Sequence, residues 1–334
     1  MIFGCAGPDL DLDERAFFAD ANPLGFILFK RNCASPAQLA DLVAALRDTV
    51  GRSEAPVLID QEGGRVARLG PPHWRARPAA QRFAQIAGVD PARGAEAARL
   101  NARLMAAELA DVGIDVDCAP VLDVPVPGAH DIIGDRAHGT DPATVAALGR
   151  AVCQGLIEGG VLPVIKHVPG HGRARADSHI ELPRVDTPLD ELRRSDFAPF
   201  RALNHMPWAM TAHVLYGAID RARAGSVSPV VIEDVIRGDI GFTGFLLSDD
   251  VCMKALSGSE ASRTQAVLAA GCDAALHCSG ILADMRAVAE AAGPLTRAAA
   301  DRFARAYAMK RPPQPLDRAA AEAHLASVLG ALQV

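Results

Sequence analysis

The feature that most constrains this chain is an alternation. Eight short apolar runs recur along it: MIFGCAG (1–7), GFILF (25–29), PVLIDQE (56–62), IDVDCAPVLDV (114–124), LPVIKH (162–167), WAMTAHVLY (208–216), GFLLSDD (244–250) and DAALHCSG (273–280). Between them lie Ala/Leu/Arg-rich stretches with helical character, at 36–50, 92–112, 142–159, 188–204, 229–238, 259–270 and 280–292. Strands that are apolar almost throughout, with a helix between successive ones, make a parallel sheet covered on both faces. Closing eight such units gives a (β/α)8 barrel, the expected α/β architecture; an open doubly wound sheet is the alternative. No G-x-G-x-x-G follows the first strands, which counts against a dinucleotide-binding sheet. A single catalytic domain over 1–334 is expected, because no linker, repeat or low-complexity segment divides the chain. Residues 295–334 read as C-terminal helices, interrupted by Pro312, Pro313 and Pro315.

Composition removes several function classes. The formal charge of −6 is spread without runs, so no basic face for nucleic acid is expected. No apolar stretch reaches the ~18–20 residues of a membrane helix. The N-terminus, MIFGCAGPDLDLDER, turns acidic within ten residues and does not fit a signal peptide. The seven cysteines are odd in number and show no C-x-x-C spacing. Reduced thiols and a cytoplasmic location are therefore expected.

Polar residues gather where the apolar runs end. Asp60 ends the apolar part of the third run, Lys166 and His167 close the fifth, His213 lies near the end of the sixth, and Asp249 and Asp250 close the seventh. In a parallel barrel these carboxyl ends open on one face, where active sites are built. One charged residue after an apolar run is an ordinary strand terminator; a whole rim of them is a candidate site. The fifth run opens into KHVPGHGRARADSH (166–179), which Pro169, Gly170 and Gly172 keep from forming a regular element.

Three chemistries could use such a rim. Metal-assisted hydrolysis could draw on His167, His171, Asp177 and His179, yet no H-E-x-x-H is present and glycines flank His171. Phosphoryl transfer lacks its G-x-x-x-x-G-K-[ST] loop. Glycoside cleavage needs a carboxylate on one face of a sugar, a proton donor on the other, and polar groups for the hydroxyls. A strand-end aspartate, a His-bearing loop whose glycines let it move, and Asp60, Arg68, Arg136 and Lys166 supply all three.

The segments DQEGGRVAR (60–68), APVLDV (119–124), IGDRAHG (133–139), KHVPGHG (166–172), DSH (177–179), MTAHVLY (210–216), GFTGFLLSDD (241–250) and AGCD (270–273) follow one another over nearly the whole chain. In that order they resemble the β-N-acetylglucosaminidases of glycoside hydrolase family 3, in particular the short single-domain bacterial type of peptidoglycan recycling. The resemblance implies exo-action on terminal N-acetylglucosamine and retention through a covalent glycosyl-enzyme. It makes Asp249 the nucleophile, His179 the acid/base and Asp177 its orienting partner. Periodicity alone leaves Asp249 and Asp250 open, since adjacent strand residues point to opposite faces. Asp60, Arg68, Arg136, Lys166 and His167 match positions that hold the sugar hydroxyls and acetamido group, while His171 and His213 are expected to brace the site.

Two positions depart from the family pattern, Val168 and His138, where the family usually carries aromatics. Neither falls on a catalytic role. The resemblance implies a carbohydrate partner, namely muropeptide fragments, with no nucleic acid, no membrane, no metal and no cofactor, in a monomer or weak dimer. The competing readings are an N-acetylglucosaminide phosphorylase, a β-glucosidase and an inactive sugar-binding barrel. The first differs in releasing sugar 1-phosphate. The DSH loop counts against the second, and the joint presence of Asp249, His179 and Asp177 against the third.

Overall fold

The computed structural model describes residues 1–330. Eight parallel strands close into one barrel. They are β1 (Ile2–Phe3), β2 (Gly25–Leu28), β3 (Val57–Ile59), β4 (Val116–Asp117), β5 (Leu162–Val168), β6 (Trp208–Thr211), β7 (Phe245–Asp250) and β8 (Ala274–His277). Each pairs with its neighbours in sequence, and β1 pairs with β8 to complete the ring. All eight apolar runs therefore form barrel strands, and the closed alternative prevails over the open sheet.

Strand alternation divides the core into two layers. Ile27, Leu58, Val116, Leu162, Val164, Met210 and Leu247 pack inside the barrel. Their neighbours Phe26, Leu28, Val57 and Ile59 face outward and pack with Leu39, Leu42 and Leu46 of the helix α1 (Pro36–Thr49). The sequence starts its helices clearly. Ser35, Asp90 and Asp141 cap α1, α2 (Pro91–Asp111) and α3 (Pro142–Glu158), each followed by proline at the first helical position, where no N–H is needed.

The amino end of the barrel is plugged. Phe303 of α4 (Arg297–Tyr307) makes edge contacts with Trp208 and Phe245, the first residues of β6 and β7. Tyr307 donates from its hydroxyl to Asp115 Oδ2 at 2.7 Å, one residue before β4. The carboxyl end of the strands is left open. The last helix, α5, covers Arg318–Gly330, and residues 331–334 of the expected C-terminal segment lie outside the described residues.

Several elements differ from expectation. The run at 114–124 keeps only two residues as strand, because Pro120 has no N–H for the ladder; a lone bridge, Val121 to Lys166, continues the pairing. The stretch 188–204 breaks into Leu189–Arg194 and Ala198–Ala202, with the buried Asp196 between them bound to Arg173. Residues Val231–Asp239 wind as a π-helix. A helix at Ala80–Val89, with no side-chain cap to announce it, was not expected.

Candidate active site

A cavity of about 330 Å³ opens at the carboxyl end of the barrel, lined by Asp60, Arg68, Arg136, Lys166, His167, His179, Asp249 and Asp250 among others. Every residue proposed from sequence for catalysis or sugar binding lines it except Asp177, which contacts His179.

The floor is an interlocked set of charges. Lys166 Nζ lies 2.8 Å from Asp60 Oδ1 and 2.7 Å from Glu62 Oε1. Arg136 donates to both Glu62 oxygens at 2.9 Å, and Arg68 Nη2 donates to Asp60 Oδ2 at 2.9 Å. Burial on its own would raise both carboxyl pKa values. Lys166 and Arg68 nonetheless hold Asp60 below the usual carboxylate range, and Lys166 and Arg136 bring Glu62 down to about 2. Burial likewise opposes the charge on Lys166, but the two carboxylates hold its pKa above the ordinary lysine value. The set is thus fully charged at neutral pH. Such a network keeps its geometry only because every member is paired.

Glu62 was not singled out from sequence. A hairpin of Gln61–Gly63 with Val66–Ala67 follows β3 directly, and Glu62 lies two residues beyond Asp60. Period-two spacing from Asp60 was the available signal.

Asp123 is the second omission. It is fully buried, its Oδ2 lies 2.7 Å from His167 Nδ1, and its Oδ1 accepts the backbone N–H groups of His167 and His171. Against the cost of burial, these two histidines keep the Asp123 carboxyl below its ordinary pKa. One carboxylate therefore orients the end of β5 and the start of the following loop.

Asp249 and Asp250, adjacent in sequence, are held differently. Asp250 Oδ1 accepts backbone N–H groups from Cys252 at 3.0 Å and Cys278 at 3.2 Å, which ties it to the next turn and to the residue after β8. Asp249 Oδ1 accepts only the N–H of Asp250, at 2.8 Å. Burial raises the Asp249 pKa, but the imidazoles of His213 and His167 and that N–H outweigh it and leave the carboxyl below its usual range. His213 is buried between Ser226 Oγ, 2.7 Å from Nδ1, and the backbone oxygen of Asp250, 3.0 Å from Nε2. Burial lowers its own pKa, so the ring is neutral at pH 7.

The glycines of the loop after β5 are closely packed in this conformation. Gly170 has φ 139° and its carbonyl accepts from the Tyr216 hydroxyl at 2.9 Å. A Cβ on Gly172 would stand 2.2 Å from the Val124 carbonyl oxygen, so glycine is there to let two backbones touch. His171 between them is buried, and burial brings its pKa down to about 4. Exposure begins further on, at Arg175, and includes His179 through Leu182. His179 Nδ1 lies 2.7 Å from Asp177 Oδ1, which also accepts the His179 backbone N–H at 2.9 Å. The His179 side chain is 62% exposed, against 3% for Lys166. Ser178 alone is buried in this tip; its carbonyl accepts from the Ala255 N–H and its hydroxyl faces His171 Nε2 at 3.3 Å.

His167, His171, Asp177 and His179, weighed above as metal ligands, do not converge on one point among the described residues. Val168 and His138 are both buried, with His138 Nδ1 3.0 Å from the Val121 carbonyl oxygen. Phe29, Met210, Met253 and Leu276 add apolar surface to the cavity lining.

A family model, glycosyl hydrolase family 3 N-terminal domain, matches residues 10–305. A β-hexosaminidase of Methylococcus capsulatus is 41% identical over 282 residues, covering 83% of this chain and 82% of that protein. One of Thiobacillus denitrificans is 39% identical over 285 residues, covering 84% and 78%. Among solved structures, NagZ of Neisseria gonorrhoeae in complex with N-trifluoroacetyl-D-glucosamine superposes with a TM-score of 0.88 at 32% identity, covering 98% of this chain and 97% of that one. No helix among the described residues is long and apolar enough to cross a membrane.

Proposed function

The chain belongs to glycosyl hydrolase family 3 and is a glycosidase of the β-hexosaminidase kind, and from that premise we propose that it removes terminal N-acetylglucosamine from peptidoglycan fragments with retention of configuration. The observation that carries the proposal is the pairing of an ionised carboxylate, Asp249, with an imidazole–carboxylate pair, His179 and Asp177, at one cavity.

In the first step Asp249 attacks the anomeric carbon as the bond to the leaving oxygen breaks, and His179 gives that oxygen its proton. The resulting ester links sugar and Asp249. In the second step neutral His179 takes a proton from water, the water oxygen bonds to the anomeric carbon, and Asp249 departs as a carboxylate. Asp177 keeps the imidazole in place and stabilises its charged form. Lys166, Arg136, Arg68 and Asp60 present charged donors and acceptors to the sugar hydroxyls. His167, with one ring nitrogen committed to Asp123, has the other for the cavity. The apolar lining residues Phe29, Met210, Met253 and Leu276 offer contacts for the acetamido methyl group.

The substrate class proposed is N-acetylglucosaminyl-1,6-anhydromuramyl peptides, met in the cytoplasm by one catalytic domain spanning 1–334 as a monomer or weak dimer. The test is product analysis by NMR in phosphate buffer. Release of free β-N-acetylglucosamine as the first product supports the proposal. An α-anomer as first product would exclude retention, sugar 1-phosphate would replace water by phosphate as acceptor, and no cleavage would remove this substrate.

A further inference from the structure

Next to the sugar cavity, a sulfur, an imidazole and a carboxylate meet at one point that the glycosidase chemistry does not use. Cys252 lies in the turn after β7, Glu260 begins the helix Glu260–Ala270, and His277 ends β8. Their ligand atoms all lie within 4.8 Å of one another. Each is fixed from another side. The Cys252 N–H donates to Asp250, Ser259 caps the Glu260 helix, and the strand holds His277.

His277 is the telling member. It is fully buried, Nε2 is 2.7 Å from Glu260 Oε2, and Nδ1 has no hydrogen-bond partner. Nε2, the nitrogen that faces Glu260, can pass to a cation at the loss of that one hydrogen bond, with the ring proton then on Nδ1.

We propose that Cys252, Glu260 and His277 form a binding site for a zinc-type divalent cation, separate from the sugar site. Sulfur, nitrogen and oxygen donors together select a borderline-soft ion over magnesium or calcium, which take oxygen ligands. Zinc bonds of about 2.0–2.3 Å in a tetrahedron place ligand atoms about 3.3–3.8 Å apart, so side-chain rotation closes the site, with water as the fourth ligand. On binding, the Cys252 thiol loses its proton to solvent, neutral His277 donates a lone pair, and Glu260 turns from His277 to the ion. Thiolate and carboxylate then balance the two positive charges. The ion would bind the turn after β7 to β8, next to Asp250, which accepts the Cys252 N–H, and so stiffen the support of the proposed nucleophile.

Cobalt(II) titrated into the full-length protein is the probe. The expected result is a thiolate-to-cobalt charge-transfer band that saturates at one equivalent and is displaced by zinc. Cys252→Ser should abolish it, Glu260→Gln should weaken binding about tenfold or more, and His179→Ala should leave it intact. On the unsubstituted protein, saturating zinc should slow alkylation of Cys252 about tenfold, read by peptide mass spectrometry. That measurement stands if a variant fails to fold. Absence of the band, its survival in Cys252→Ser, its loss in His179→Ala, or unprotected Cys252 would each overturn the site. Sugar release is not a readout here, so failure of this site leaves the glycosidase proposal untouched.

Discussion

The two sides of the cavity are built in opposite ways. The floor, Asp60, Glu62, Arg136 and Lys166, is an ion-pair network in which the side chains of Lys166 and Glu62 are 3% and 6% exposed. The rim, Asp177 and His179, is a two-residue pair on a loop whose imidazole is mostly in water. A floor with the proposed task of recognising neutral hydroxyls gains from fixed charges, because no reorganisation is then needed when substrate arrives. A proton donor has a different task. It must protonate a leaving group, let the first product go, admit water, and accept a proton back, which favours an accessible position. Under the proposed roles, the difference separates binding, which is set when the chain folds, from proton transfer, which is set by where one loop tip lies.

The largest effect expected concerns the fixed side. Asp249→Ala removes the proposed nucleophile and should lower turnover on the order of 10⁴-fold or more. Asp250→Asn should retain far more, since the Asp250 carboxyl is committed to the N–H groups of Cys252 and Cys278. A slow fluoro-glycoside should leave its sugar on Asp249, and mass spectrometry placing it on Asp250 would reverse the assignment.

On the rim, His179→Ala should cost about 10²–10⁴-fold on a substrate with a poor leaving group. An activated aryl leaving group needs little protonation, so single-turnover glycosylation should be spared and azide should rescue the second step. Equal losses on both substrates would move His179 into the binding role and erase the distinction between floor and rim. Asp177→Asn should change rates in the same direction but less, because the ring remains.

For the floor, Lys166→Met or Arg136→Met should reduce kcat/KM about tenfold or more on either leaving group, as a lost charged hydrogen bond is worth roughly 1.5–3 kcal/mol. Independence from the leaving group marks binding. A loss that tracked leaving-group pKa would place Lys166 in the proton-transfer machinery instead.

Much of this arrangement was legible in the sequence, and the omissions share a cause. Strands and helices announced themselves by apolar runs and by the Ser-Pro and Asp-Pro starts of three helices. Asp60, Lys166, His167 and Asp249 were found because they end apolar strands. Glu62 was passed over because it follows the strand proper, in a hairpin that carries the same face onward. Asp123 sits inside an apolar run, APVLDV, and nothing local shows that its partners come from β5. Gly170 and Gly172 read locally as freedom of motion; that Gly172 also lets the loop touch the Val124 backbone shows only in the tertiary contacts. Cys252, Glu260 and His277 are separated by up to twenty-five positions and meet only when β7 and β8 pair.

The smallest effect expected is on stability, and it sharpens the same contrast. Burial holds the His171 pKa at about 4, against about 6.5 for an unfolded histidine. The folded chain therefore binds fewer protons at this ring than the unfolded chain as pH falls from about 6.5 to about 4, and stability declines across that window. Burial shifts His138 and His213 in the same direction, adding to the slope. Carboxylates with depressed pKa values contribute in a lower window. Glu62, brought to about 2, supplies stability that is complete well above about 4.5 and is lost as pH falls through about 2. His171→Asn should therefore flatten the decline in unfolding free energy between pH 6.5 and 4, by about 1.4 kcal/mol for each unit of the original depression. Poorer packing lowers stability at every pH, so the slope is the readout rather than the midpoint. Urea titrations at four pH values on wild type and His171→Asn give the two slopes. An identical slope in wild type and His171→Asn would mean that water reaches His171 freely, and the boundary between a fixed floor and an open rim would then have to be drawn before Gly170 rather than after Ala174.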